Sequence, residues 1–506
     1  MEDNKVLLAT LSVLVLLVVL SKLMKSLVVP QPKLNLPPGP WTLPVMGSLH
    51  HLDSSRSTHR VMRDLAQKHG PLMMLRLGTL PALVVSSAEA AQEVMKTQDL
   101  AFADRFVSTN VRTLSSDSDG IVFMPYGDRW RQLRKIAVLE LLTAGRVLSF
   151  RHIREDEVSR LMGSLAASAG AGAAVNLSKM ISRYVNDTFI RESVGSRCKY
   201  QDEYLDALHS SLRHTLAMTV ADLFPSSRLM QMLGTASRQV LMCRDRLQGV
   251  LEKIIHDAKE AVDRGDDASE GFVGVMLRLQ KERSAPVEMT DETIAGVLLV
   301  LFTAGSETSS STLNWCMTEL VRWPAVMAKA QAEVREAFKG KTTITEIDLE
   351  GLSYLKLVIK EALRMHPPAP LLVPRQCRET CQVMGYDVPK GTVVYVNVWA
   401  ISRDPKYWDD PEEFKPERFE DSNLDYKGTN YEYLPFGAGR RICPGINLGV
   451  GNIELALANL LYHFDWKLPD GVEPKDIDLS EAEGLAVCKK IDMVLHPITR
   501  VPPAVP

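Results

Sequence analysis

The sequence predicts a mainly α-helical domain with small β-sheets, preceded by one N-terminal transmembrane helix. Three observations carry this reading. Amphipathic runs with apolar residues at helical spacing recur along most of the 506 residues. Runs that read as strands are few and short. Near the amino end, one apolar stretch has the length a bilayer needs. Length alone would suggest about three domains at ~150 residues each. No composition break divides the chain after residue 40, so residues 41–506 read as one domain.

The amino-terminal element comes first. Val6 to Leu20 is apolar apart from Thr10 and Ser12. Apolar residues continue through Leu23, Met24 and Leu27–Val29, and Lys22 and Lys25 can snorkel. Residues 1–29 therefore read as a single-pass anchor. Glu2 and Asp3 precede it, while Lys22, Lys25 and Lys33 follow, which places the amino end in the lumen and the remainder in the cytosol. A cleaved signal peptide would carry a basic start and a small-x-small site, and neither is clear here. Residues 30–40 hold Pro30, Pro32 and Leu36-Pro-Pro-Gly-Pro40, a stiff proline-rich hinge.

Helices are expected at Ser57–His69, Ala88–Thr97, Arg129–Leu142, Glu155–Ala169 and Thr235–Asp263. Strands are expected at Leu72–Leu77, Ala82–Ser86 and Gly391–Val398. Ala166–Ala174 and Asp263–Gly271 read as surface loops. Net charge is −3, so no broad basic face argues for nucleic acid. The seven cysteines are scattered, and only Cys377 and Cys381 are close. No second close pair completes a zinc site, and so few cysteines fit a reducing compartment.

Chemistry concentrates in Pro435–Gly445, Pro-Phe-Gly-Ala-Gly-Arg-Arg-Ile-Cys-Pro-Gly. Its glycines let backbone pass close to a flat object, and its arginines can meet carboxylates. Cys443 would lie near a helix start, whose positive dipole favours thiolate. A thiolate presented singly suits a haem iron better than zinc.

Asp291–Leu320 reads as one long helix capped by Thr290 or Asp291. Val297–Phe302 is apolar all round, so the helix should cross a core. Ala304-Gly-Ser-Glu-Thr-Ser309 then places polar groups at its centre, which is costly without a task. The Thr308 hydroxyl can bond back to the Ala304 carbonyl or to a water, and the helix can open around that water. Glu307 beside it offers a proton route. Glu361 and Arg364 share a helix face, and Pro416-Glu-Arg418-Phe offers a second guanidinium to the same carboxylate.

Together these segments resemble cytochromes P-450. The loop pattern Phe436-x-x-Gly439-x-Arg441-x-Cys443-x-Gly445 resembles that family's haem-binding loop, and Ala304–Ser309 its oxygen-activation groove. The motifs lie in family order from residue 30 to 450. The resemblance implies the cytochrome P-450 fold and haem b with an axial thiolate from Cys443. It implies haem contacts from Phe436 and Gly437, and propionate contacts from Trp130, Arg134, Arg375 and Arg441. Thr308 and Glu307 would relay protons for dioxygen cleavage, while Glu361, Arg364 and Arg418 would lock the core behind the haem. The strap, Trp130-Arg-Gln-Leu-Arg134 and Phe414-Lys-Pro-Glu-Arg-Phe419 look like the plant A-type microsomal group. Lys329–Glu346 and Leu460–Pro469, read as surface segments, look like grass terpenoid-oxidising members such as zealexin synthases. Phe106 stands where proline is common and can reshape the loop over the haem.

The resemblance further implies an endoplasmic reticulum membrane protein with a cytosolic catalytic domain. It would use O2 and the electrons of NADPH, passed on by NADPH–cytochrome P-450 reductase. Arg131, Lys135 and Arg440 are basic groups suited to an acidic reductase face. The expected pocket residues are Val300, Ala304, Ala369, Leu371, Val373 and Leu485. None can grip a polar substrate, which suits a sesquiterpene or diterpene hydrocarbon and weak discrimination among hydrocarbons. Two alternatives stand beside this reading: a reductase-independent haem-thiolate isomerase or dehydratase, and a monooxygenase of another plant specialised metabolite. The Glu307–Thr308 pair favours a monooxygenase, since a rearrangement needs no proton relay.

Overall fold

The computed structural model describes residues 34–504, except 54, 116–119, 216–217, 266–270 and 485. The anchor of residues 1–29 lies outside them. Among the described helices, Asp291–Arg322 alone is long and apolar enough to cross a membrane, but most of its apolar stretch is buried in the protein. It is a core helix.

The main sheet has five strands: β1 Leu72–Leu77, β2 Leu80–Val85, β3 Asp104–Arg105, β4 Arg375–Gln376 and, after a hairpin, β7 Val393–Val396. The hairpin strands are β5 Cys381–Val383 and β6 Tyr386–Val388. The sheet order is β1-β2-β7-β4-β3. β1 and β2 pair antiparallel from Leu72↔Val85 to Leu77↔Leu80, and β2 runs parallel to β7. Their Leu, Val and Met side chains are mostly buried, so both faces of this sheet are covered.

The proline strap is bolted to β1 and to the hairpin strand β6. The Met74 N–H donates to Pro38 O at 2.8 Å, and the Asp387 N–H donates to Asn35 O at 2.7 Å. A Cβ on Gly39 would collide with Met74 O, so glycine is required for that approach.

Five helices position the site: α1 Asp128–Ile136, α2 Leu177–Val194, α3 Asp291–Arg322, α4 Tyr354–Met365 and α5 Ile446–His463. The core lies where α3 packs against α2, α4 and α5. Thr290 caps α3, its hydroxyl accepting from the Thr293 N–H at 3.2 Å. Two expected helices end in wider π turns, Glu93–Thr97 and Ala137–Leu141. The first brings Met95 O against Gly439, where a Cβ would collide.

Three sequence expectations need correction. Ala166–Gly170 is the end of the helix Arg151–Gly170, not loop, because alanine favours continued helix. The helix starting at Arg238 runs on to Arg264. Lys329–Glu346 and Leu460–Pro469 are not surface segments throughout. Ala330, Val334, Phe338, Ile344, Leu460 and Leu461 are buried, and Glu346 accepts from the fully buried Arg154 at 2.7 Å.

Candidate active site

Cys443 hangs from a loop whose shape is set by two glycines. Gly437 and Gly439 have φ of 70° and 67°, a region side chains disfavour. The Cys443 N–H donates to Phe436 O at 3.0 Å, and the Ile442 N–H donates to Gly439 O at 3.1 Å. α5 begins three residues after the thiol, as expected from Pro444 and Gly445. Burial pushes the Cys443 thiol up, while the Gly445 N–H and the Arg134 guanidinium pull it down. Phe436 is half-buried and meets Tyr426 edge-on at 5.4 Å.

Beside this loop, four arginines converge. Arg105 on β3 lies directly opposite Arg375 on β4, a like-charge cross-strand pair. Arg441 stacks on Trp130 at 4.1 Å, and Arg134 lies 5.9 Å from the same ring. Arg375 donates to Asp99 at 3.0 Å and to Ala438 O at 2.8 Å. Arg441 donates to Ala103 O at 2.8 Å and Met124 O at 2.6 Å, and Arg134 donates to Ile442 O. The Trp130 N–H donates to Ile121 O at 2.9 Å, so the indole serves here as a platform for the two guanidiniums.

Charge does not balance in this cluster. Arg105 falls well below its ordinary range through burial, then through Arg375, Arg441 and Arg134. Arg441 falls to about 9, through burial and then Arg375. The Arg105 Nε is buried without a partner. Asp99 and Asp104 are the carboxylates that offset the group, and Asp99 also binds Arg440 at 2.9 Å. Arg105 and Asp99 were not singled out from the sequence. The clue was Asp104-Arg105 beside Phe106, a segment read there only for its loop.

α3 carries the polar segment expected at its centre. Ala304 is exposed although Val297, Leu298, Leu301, Phe302 and Ser306 around it are buried. Cys443 and Arg105 likewise keep some surface while enclosed deeply. The Thr308 hydroxyl donates to Ala304 O at 2.6 Å. α3 runs unbroken, so the opening expected at Thr308 is not present; the back-bond satisfies the hydroxyl within the helix. Gly305 faces the other way, where a Cβ would collide with the Phe189 ring on α2.

Val300 is half-buried, with its Cγ2 near Gly120. Ala369, Leu371 and Val373 are half-buried on the segment after α4, and Val373 O accepts from Arg105. Leu485 lies outside the described residues. Its neighbour Val487 ties that late loop to the site from both sides: its N–H donates to Pro368 O and its O accepts from Ser311, both at 2.8 Å. Burial and then the Glu307 carboxylate push the Cys488 thiol up to about 11, which places Glu307 toward the same loop.

Behind the loop, Glu361 accepts from Arg364 at 2.7 and 2.9 Å, from Arg418 at 3.0 Å and from the Lys415 N–H at 2.8 Å. Arg364 also donates to Ser402 O and Pro411 O at 2.8 Å. The three residues expected from the two motifs thus meet at one carboxylate.

The open cluster asks for a bound group carrying two negative charges, lying beside a single thiolate and below an apolar helix. Haem with its two propionates meets these demands together, and among the described residues no trio of His, Cys, Asp or Glu is placed for another metal ion. The site is that of a haem-thiolate protein. Comparison with known proteins agrees: a cytochrome P450 family model matches residues 37–495, and the chain belongs to that family. Dolabradiene monooxygenase of Zea mays is 64% identical over 506 residues, 99% of each chain. Zealexin A1 synthase of Zea mays is 63% identical over the same length and coverage. Ent-cassadiene hydroxylase of Oryza sativa subsp. japonica is 55% identical over 515 residues, covering 100% of this chain and 99% of its own. The protein is a haem-thiolate monooxygenase that takes its electrons from NADPH through a reductase. Plant members of this kind are typically membrane-bound.

Proposed function

We propose that this enzyme oxidises an apolar sesquiterpene or diterpene hydrocarbon of plant defence metabolism. The observation that carries the reading is the exposed Ala304 inside the core, with Thr308 one turn away and only apolar side chains in the expected pocket. The named relatives support the chemical class, since dolabradiene monooxygenase and ent-cassadiene hydroxylase are named for dienes. Residues 1–29 anchor it in the endoplasmic reticulum, residues 30–40 form the strap, and residues 41–506 form the cytosolic catalytic domain. NADPH–cytochrome P-450 reductase docks on the thiolate side, where Arg131, Lys135 and Arg440 lie. Arg131 and Lys135 are exposed, and Arg440 reaches Asp99.

Each residue has a defined task. Cys443 provides the thiolate, which the Gly445 N–H and Arg134 favour against its burial. Arg105, Arg134, Arg375 and Arg441 would hold the propionates, and Phe436 and Gly437 would contact the haem. Haem, when bound, would supply dioxygen activation. Thr308 positions the water that hands over protons, exchanging its Ala304 bond for that water, and Glu307 resupplies it from the late-loop side. The apolar wall excludes bulk water.

Reconstitution with reductase, NADPH, O2 and a panel of terpene hydrocarbons should yield hydroxylated product detectable by mass spectrometry. Product without NADPH and O2 would establish an isomerase instead. Thr308→Ala should lower product roughly tenfold or more while NADPH consumption continues and hydrogen peroxide accumulates.

A further inference from the structure

The segment after β4 carries two thiols that the reaction does not use. The Cys377 and Cys381 sulfurs lie 3.9 Å apart. Both backbones are fixed. The Cys377 N–H donates to Thr392 O at 2.8 Å, and its carbonyl accepts from the Gly391 N–H at 2.7 Å. Cys381 pairs with Val388 across β5 and β6. The Cys377 S–H also faces Glu379 O at 2.9 Å. We propose that Cys377 and Cys381 are a redox-modification site, joined as a disulfide by hydrogen peroxide.

The two sulfurs have unequal roles. Cys377 is 1% exposed, whereas Cys381 is half-buried and meets solvent first. The two thiols share a hydrogen bond that either can donate, and this contact holds the Cys381 thiol below its ordinary value against burial and the Glu379 and Glu93 carboxylates. The same shared proton, and then burial, hold Cys377 above its ordinary value. Cys381 is therefore the nucleophile and Cys377 the resolving thiol.

The chemistry balances. The Cys381 thiolate attacks one peroxide oxygen, the O–O bond breaks, and a proton carries the other oxygen away as water. Cys381 is left as a sulfenic acid. The Cys377 sulfur then displaces its hydroxyl, which leaves as a second water with the Cys377 proton. Two thiols and one hydrogen peroxide become one disulfide and two waters, with two electrons passing from sulfur to oxygen. A monooxygenase that reduces dioxygen generates this oxidant whenever reduced oxygen leaves before transfer. The sulfurs must close from 3.9 Å to about 2.05 Å.

The experiment treats the haem-loaded full chain with hydrogen peroxide. Free thiols are blocked with iodoacetamide, disulfides are reduced, and the released thiols are labelled with N-ethylmaleimide before peptide mass spectrometry. The expected result is N-ethylmaleimide on both Cys377 and Cys381 in most chains, and the loss of two hydrogens from their common peptide without reduction. In Cys377→Ser, dimedone should trap a sulfenic acid at Cys381 that is scarcely seen in the wild type. Cys381→Ser should leave Cys377 open to iodoacetamide. Iodoacetamide labelling of Cys377 and Cys381 that peroxide leaves unchanged would overturn the proposal. So would dimedone capture at Cys381 that is equal in the wild type and Cys377→Ser, because Cys377 would then resolve nothing.

Discussion

At Arg364 the guanidinium is met by Glu361 and by carbonyls of Ser402, Pro411 and Glu413, and Arg418 closes on the same carboxylate. At Arg105 the guanidinium faces Arg375 across a strand pair, has Arg441 and Arg134 within reach, and keeps a buried Nε without a partner. Both clusters are built of deeply placed arginines. The first is complete as the chain folds. The second is complete only when anionic carboxylates arrive. Burial of charge is tolerable where partners are supplied, and where the chain withholds them it marks a binding site.

The largest break in this comparison comes from Arg364→Lys. Lysine cannot reproduce the forked contact, so the Glu361 carboxylate loses its match in a closed interior. The expected cost is ~3–5 kcal/mol. Thermal unfolding should show it, and little haem-loaded protein should accumulate. An unchanged melting temperature would show that the closed cluster is dispensable.

Arg105→Met should separate the two clusters. It removes an uncompensated charge, so the haem-free chain should gain about 1 kcal/mol or more. Haem retention should fall by about 10–100-fold, the worth of a hydrogen bond to a charged group. Stability and haem affinity thus move in opposite directions, whereas at Arg364 they fall together. Transfer of haem to an acceptor protein measures the second quantity. Retention equal to wild type would remove Arg105 from the propionate site.

Gly305→Ala tests the wall between the open site and the closed core. The new Cβ would press on Phe189, at a cost of about 1–3 kcal/mol from overpacking. Phe189→Leu should restore much of that loss, as read by paired denaturation curves. No rescue would place the strain elsewhere.

The smallest effect is pH dependence at the edge of the closed cluster. Burial holds His366 below its ordinary value, against its 2.7 Å contact with Glu319. Glu319 is held below its own ordinary value: burial opposes this, but His366 and Arg322 outweigh it. The unfolded chain takes up a proton at His366 from about pH 6.5 downward, and the folded chain does so only at lower pH. Stability is therefore full above about pH 6.5 and declines as pH falls toward the folded value. Glu319 adds a further loss below about pH 4.3. His366→Gln should flatten the first decline, by no more than ~1.4 kcal/mol per pH unit. Denaturant midpoints across pH 5–8 would show it.

Local chemistry was legible from the sequence. The spacing of Glu361 and Arg364 predicted their pairing, and the bond from Thr308 to the Ala304 carbonyl was one of the two read for its hydroxyl. Each follows from residues within a few positions, where turn and helix geometry dictate reach. β1 was read at its observed bounds for the same reason.

Other partners come from distant segments, and no local pattern announces them. Asp99 and Arg375 meet across a separation of 276 residues, Arg154 and Glu346 across 192. Phe189 against Gly305, Ile121 as the acceptor for Trp130, and the open charge around Arg105 depend on how helices and sheet pack. The Cys377–Cys381 spacing was visible, but their sulfur contact required the strand pairing. By itself, the sequence determined the thiolate loop, the paired Glu361–Arg364 helix and the hydroxyl on α3, because chain geometry constrains near neighbours. Tertiary structure decided which buried charges are answered and which wait for a cofactor, because electrostatic balance is set by groups that only folding brings together.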